Sequence, residues 1–407
     1  MRPQPSAVLK VWALQLAFST VGLTSEQAQR PLGSDAGIPA PSTAAGPIST
    51  ALFATLERLA RLVDITYCIG TTGVTKPFEC ASRCGDFPTL SLVNTWNTGL
   101  LMSDSCGFIA VDRGVQQQGT SASNTIYTTG GPAIVVAFRG TYSITNTVVD
   151  LSTVPQEYVP YPSPDNGGED APEKPEHECT NCTVHMGFLD SWKSARPLVI
   201  PELQRLREQY PSYPIQLLGH SLGGAVACLA ALELKVSLGW EDVVVTTFGE
   251  PRVGNPGLAR FVDEVFHLGG QEDLEARTYR RVTHEDDPVP LLPLSEWGYK
   301  SHAGEIYIAK KDLSPSEDDV YVCVGDNDPG CIAEGDGSLW DMMRRLIKAK
   351  DIVLAPGERV LIPSNLKLWQ LFFAHRDYFW RLGLCVPGGD PANWGRNPYG
   401  SPESDEL

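Results

Sequence analysis

The sequence predicts an α/β fold, a mostly parallel central sheet flanked by helices. Short apolar runs such as Ile134-Val-Val-Ala-Phe138 and Val243-Val-Val-Thr-Thr-Phe248 read as strands buried on both faces. They alternate with stretches of helical spacing, which argues for a parallel sheet rather than a sandwich. The chain has 407 residues, 42% of them hydrophobic, enough for one large core.

Residues 1–28 read as a signal peptide. Arg2 and Lys10 supply positive charge, and Val11–Leu23 is apolar but too short to span a bilayer. Small residues, Ser25 and Ala28 among them, follow where cleavage could fall. An N-terminal amphipathic helix is the alternative. Residues 29–50 are rich in Pro, Gly, Ser and Ala, as in a linker or pro-segment.

From Ala51 to Tyr67, Leu52, Leu56, Leu59, Leu62 and Val63 recur at helical spacing. Strand Ile134–Phe138 follows, then an acidic, Pro-rich loop over 155–182. Leu203 and Leu206 lie in a charged helical stretch ending near Tyr210. Next come strand Ile215–Leu218, an apolar helix over Ala225–Leu238, and strands at Val243–Phe248, Thr278–Val282 and Glu305–Ala309. Residues 310–337 read as a second exposed loop, Leu339–Ala349 as a short amphipathic helix, and the chain from Pro387 on as loosely ordered. No later segment is long and apolar enough for a transmembrane helix.

The net charge of −17 makes nucleic acid a poor partner and an anionic membrane a repulsive one. A neutral lipid, ester or glycan fits better. Ten cysteines point to an oxidising compartment. Cys80/Cys84, Cys179/Cys182 and Cys323/Cys331 are spaced to close small disulfide loops. Cys179-Thr-Asn-Cys182 lacks the second ligand pair of a zinc site, so no metal is expected, and no cofactor either. Asn181-Cys182-Thr183 is a glycosylation sequon, meaningful on a secretory route.

Gly219-His220-Ser221-Leu222-Gly223 matches the nucleophile elbow, with a strand before it and a small-residue helix after it. The turn is too sharp for side chains at its flanks, and it exposes the serine hydroxyl above a helix N-terminus suited to an oxyanion. A serine hydroxyl also needs a base and an orienting carboxylate, which follow it in the order Asp/Glu, then His. Glu285, Asp286 and Asp287, at the end of a strand, all qualify as the acid. Of the seven histidines only His302 and His375 follow that acid. His220 is turned away by the elbow and reads as structural.

Four segments in this order, Phe138-Arg-Gly-Thr141, Gly219–Gly224, Asp287-Pro-Val-Pro290 and His375-x-x-Tyr378-Phe379, resemble the class 3 lipases of filamentous fungi. So does His185-x-Gly187-Phe188. The resemblance runs from about residue 51 to Cys385. It implies an α/β-hydrolase fold with a short helical lid. It selects Ser221, Asp287 and His375 as the triad, and Thr141 and Leu222 as the oxyanion hole. It pairs Cys68 with Cys385 and leaves Cys106 and Cys228 without an assigned partner. Long insertions at 155–182 and 310–365 depart from the family pattern.

The expected organisation is a catalytic domain over 51–388 and a flexible tail over 389–407. The expected activity is hydrolysis of acylglycerol esters at a lipid–water interface, by a monomer. A feruloyl-type esterase or a phospholipase is the alternative, and a non-catalytic lipid-binding protein a remoter one. After Thr141, Ile144, Val148 and Leu151, with Val149 beside them, form an apolar helical stripe suited to a lid. The chain ends Ser404-Asp-Glu-Leu407, close to an ER-retention signal. Secretion is the first reading and retention in the lumen the second.

Overall fold

In a computed structural model, residues 46–99, 103–114, 131–141, 155–158, 179–269, 273–332 and 374–386 are described. The expected signal segment and tail, most of the expected linker, the stripe Ile144, Val148, Val149 and Leu151, and the helix expected over Leu339–Ala349 lie outside them.

Helix α1 (Thr50–Ile65) begins where the Ser49 hydroxyl accepts from the Leu52 amide at 3.2 Å. Its stripe Leu52, Leu56, Leu59, Leu62 and Val63 is buried. Packing extends upstream of Ala51. Ile48 is buried and its amide donates to the Val320 carbonyl, which ties the chain to a sheet edge. A small hairpin follows, β1 (Val74–Thr75) with β2 (Glu79–Cys80).

Among the described residues the central sheet has eight strands. They are β3 (Leu90–Asn97), β4 (Cys106–Asp112), β5 (Ala133–Phe138), β8 (Ile215–His220), β9 (Val243–Phe248), β10 (Tyr279–His284), β11 (Glu305–Ile308) and β12 (Val320–Val322). A separate ribbon pairs β6 (Pro155–Glu157) with β7 (Thr183–His185). The spatial order is β12-β11-β10-β9-β8-β5-β4-β3. The five inner strands β5, β8, β9, β10 and β11 run parallel, and β3, β4 and β12 are antiparallel at the edges.

Helices α2 (Met186–Gln209), α3 (Leu222–Leu232) and α4 (Pro256–Val265) go with one core, built around Trp192, Leu217 and Leu229. Helix α1 and the segment 374–386 go with the other, built around Leu56, Phe108, Leu218 and Tyr378. Sheet residues point alternately into these two cores, as the pleat requires.

Several elements differ from the sequence-based expectation. β3 and β4 were not anticipated: β3 carries Ser91, Asn94 and Thr95 and an irregular register, which blurs its alternation. α2 runs through Pro197 and Pro201, residues that normally break a helix, and therefore starts well before Leu203. The helix expected from Ala225 starts at Leu222, directly at the elbow, and gives way to a π-helical turn over Glu233–Ser237. Within 310–332, expected as exposed loop, β12 pairs with β11 and buries Val320 and Val322.

Candidate active site

The parallel strands end together, and their exits build the site. Between β8 and α3 the backbone turns at Ser221 with φ 57° and ψ −129°, a conformation costly for a residue with a Cβ. Its amide donates to the Phe248 carbonyl at 2.9 Å, locking the elbow onto the neighbouring strand end. A Cβ on Gly219 would lie 2.1 Å from the Gly223 oxygen, so only glycine fits there.

The exit of β10 supplies Asp287. Its Oδ1 accepts from the Val289 amide at 2.9 Å, and its Oδ2 from His375 Nδ1 at 2.8 Å and the Tyr378 hydroxyl at 2.5 Å. The other two acids are engaged elsewhere. Asp286 lies 3.5 Å from the Lys311 ammonium, and Glu285 accepts from the Tyr307 hydroxyl. His302 is also remote from this pair: Nδ1 faces the Ala303 carbonyl at 2.7 Å and Nε2 faces Glu250 at 3.1 Å.

His375 is wholly buried. Because Nδ1 faces a carboxylate, it carries the proton, and the lone pair belongs to Nε2. Nε2 and the Ser221 hydroxyl are both buried and have no hydrogen-bond partner among the described residues. Gly249, at the exit of β9 with φ 60°, makes room for this pair. A Cβ there would lie 2.7 Å from His375 Cε1 and 2.9 Å from Asp287 Oδ2.

His220 lies against His375, with ring centroids 4.6 Å apart. It bonds the Tyr67 hydroxyl through Nδ1 at 2.5 Å and donates from Nε2 to the His375 carbonyl at 2.8 Å. Burial, and then the positive charge that His375 carries when protonated, hold its pKa well below the usual histidine range, so it stays neutral. Neither Tyr378 nor Tyr67 was assigned a role from sequence. Tyr378 stands three residues after His375, across a tight turn, and that short spacing was a usable signal. For Tyr67 there was none.

The two backbone positions expected at an oxyanion site sit beside the serine. Leu222 opens α3, where the first N–H groups have no acceptor within the helix. Thr141 is half-buried, and a Cβ on its neighbour Gly140 would lie 2.9 Å from Ser221 Cβ.

Disulfides join Cys68 to Cys385, Cys80 to Cys84, Cys179 to Cys182 and Cys323 to Cys331. The first ties the segment carrying His375 to the end of α1. Cys106 and Cys228 are buried thiols, and burial raises the Cys106 pKa to about 11. Among the described residues one set of potential metal ligands converges: Cys228, Glu250 and His302, whose ligand atoms lie within 4.8 Å of one another. Glu250 there already accepts from Thr247 at 2.6 Å and Tyr279 at 2.9 Å. Asn181 is exposed, beside Cys182.

A strained serine above a helix N-terminus, at the end of a parallel sheet and near a carboxylate-held histidine, defines a serine hydrolase of the α/β-hydrolase fold. Residues 135–297 match the family model described as lipase (class 3). The chain is 70% identical over 365 residues to the secreted mono- and diacylglycerol lipase 2 of Gibberella zeae, covering 88% of this chain and 89% of that one. It is 59% identical over 400 residues to lipase A of Sodiomyces alcalophilus, covering 96% and 92%. The Lip2 lipase of Yarrowia lipolytica superposes with a TM-score of 0.64 at 28% identity, over 85% of this chain and 99% of that one. A triacylglycerol lipase described as having a serine protease triad at its catalytic centre superposes at 0.54 with 25% identity, over 84% and 100%.

The chain belongs to the class 3 lipases. It is a secreted serine hydrolase of carboxylic esters, and no described helix is long and apolar enough to cross a membrane.

Proposed function

We propose that the protein hydrolyses the ester bonds of acylglycerols through an acyl-enzyme on Ser221. The observation that carries this reading is the contact of His375 Nδ1 with Asp287 at 2.8 Å, which leaves Nε2 as the free base; it and the hydroxyl of the strained Ser221 are both buried without a hydrogen-bond partner among the described residues. Ser221 Oγ attacks the ester carbonyl while Nε2 takes its proton. Asp287 stabilises the imidazolium and fixes the ring. The backbone N–H groups of Thr141 and Leu222, helped by the Thr141 hydroxyl, receive the oxyanion. His375 then returns the proton to the glycerol oxygen as it leaves. A water, deprotonated by the same nitrogen, releases the fatty acid.

The substrates we infer are mono- and diacylglycerols, since the relative at 70% identity is named for them. Triacylglycerol is the second reading, favoured by the structural likeness to a triacylglycerol lipase. The chain acts as a monomer at a lipid–water interface. Fatty-acid release from emulsions of tri-, di- and monoacylglycerol, beside a phospholipid and a soluble ferulate ester, tests the reading. Faster release from the two partial glycerides is expected. Turnover confined to the ferulate ester would overturn it. Sedimentation in the same buffer checks the monomer.

A further inference from the structure

The sequon Asn181-Cys182-Thr183 carries a cysteine at its centre, and that cysteine is bonded to Cys179. Two covalent modifications therefore lay claim to the same short segment. In the folded chain the Asn181 side chain is exposed, yet its backbone is held. Its φ is 55°, its carbonyl accepts from Asn255 Nδ2 at 2.8 Å, and a Cβ on Gly257 would lie 2.7 Å from that carbonyl oxygen. Thr183 opens β7 opposite Glu157. Its amide donates to Asn255 Oδ1, and its carbonyl accepts from the Asn255 amide, both at 3.0 Å.

Glycan transfer to Asn-X-Thr requires the asparagine amide and the threonine hydroxyl to be engaged together. The transferring enzyme must draw the segment into its own cleft. Here the asparagine sits inside a four-residue disulfide ring and the threonine inside a two-stranded ribbon. Neither can be drawn out without breaking the ring or the ribbon.

We propose that Asn181 is an N-glycosylation site usable only before Cys179 and Cys182 join, so that closing this disulfide ends its availability. In one reaction an oligosaccharide passes from a lipid-linked pyrophosphate donor to Asn181 Nδ2. A C–N bond forms, the amide gives up a proton, and the lipid pyrophosphate leaves. In the other, the two thiols pass two electrons and two protons to a disulfide-carrying oxidoreductase of the secretory pathway. Disulfide closure takes seconds or longer, and synthesis runs at about 5–20 residues per second, so the two reactions share one time window. The secreted protein is accordingly a mixture of glycosylated and bare chains.

Glycopeptide mass spectrometry of the full chain, secreted from a eukaryotic host, tests this. Partial occupancy is expected at Asn181 in the wild type. Near-complete occupancy is expected in Cys179→Ser/Cys182→Ser, whose sequon becomes Asn-Ser-Thr, and none in Thr183→Ala. Because the double variant could be retained in the cell, occupancy is read on cell-associated chains as well. A pulse of dithiothreitol on cells making the wild type should also raise occupancy, with no substitution at all. Full occupancy in the wild type, equal occupancy with and without the disulfide, or no glycan in any sample would each overturn the proposal.

Discussion

The Tyr378 hydroxyl donates to Asp287 Oδ2 at 2.5 Å, and His375 Nδ1 meets the same oxygen at 2.8 Å. One turn of chain thus brings two donors to one carboxylate oxygen. Burial, and then the Asp287 charge, push the phenol well above its usual pKa, so it remains a donor. Tyr378→Phe removes a hydrogen bond to a charged group, worth about 1.5–3 kcal/mol. If roughly half of that is felt in the transition state, kcat falls by about 4- to 13-fold with little change in KM. A wild-type kcat would mean that Tyr378 only packs.

The φ of 57° at Ser221 predicts a separation of activity from stability. Ser221→Ala and Ser221→Gly are both expected to be inactive. Only the glycine variant relieves the backbone, by about 1 kcal/mol, and should melt at a higher temperature than the alanine variant. Equal melting temperatures would remove the strain argument.

The geometry separates the candidates for base and acid. His375→Ala and Asp287→Asn are each expected to lower kcat by about ten-thousand-fold, as triad losses do elsewhere. His302→Ala removes the contact with Glu250, and Asp286→Asn the exposed pair with Lys311, so both should act mainly on stability or not at all. Steady-state kinetics on one soluble ester decides it. A larger loss in His302→Ala than in His375→Ala would reverse the assignment.

The segment carrying His375 is tied to the end of α1 by Cys68–Cys385 and by the Gly383 amide, which donates to Asp64 Oδ1 at 2.7 Å. Replacing both cysteines with serine should cost about 2–5 kcal/mol of stability. Activity should also fall at temperatures where the sheet stays folded, since the tether is local to the histidine. Circular dichroism and hydrolysis rate, followed together on heating, check this. Coincident loss of the two would count against a local tether.

His220 is buried, and its pKa in the native protein is depressed below the unfolded value of 6.5. Below that pH the unfolded chain takes up a proton that the native one refuses, so stability is lost as pH falls and is fully present above it. The contribution reaches about 1.4 kcal/mol per pH unit. Denaturant unfolding at pH 7, 6 and 5 should therefore show a shallower pH dependence in His220→Gln than in the wild type. Parallel slopes would rule this out.

The residues by themselves determined whatever depends on a few neighbours in the chain. The elbow at Gly219–Gly223 is a local turn with a local glycine requirement. The stripe of α1 and the apolar runs of β5 and β9 are periodicities visible within one element. Tertiary structure decided which distant groups meet. Glu285, Asp286 and Asp287 are equivalent as chemistry, and only the exit path of β10 brings one of them to a histidine 88 residues away. His220 and Tyr67 stand 153 residues apart, and no local signal joins them. α2 persists through two prolines, where burial against the packed sheet outweighs local preference. Periodicity and turn chemistry act over a few residues, whereas the pairing of side chains is settled only when the sheet closes and its strand ends are brought side by side.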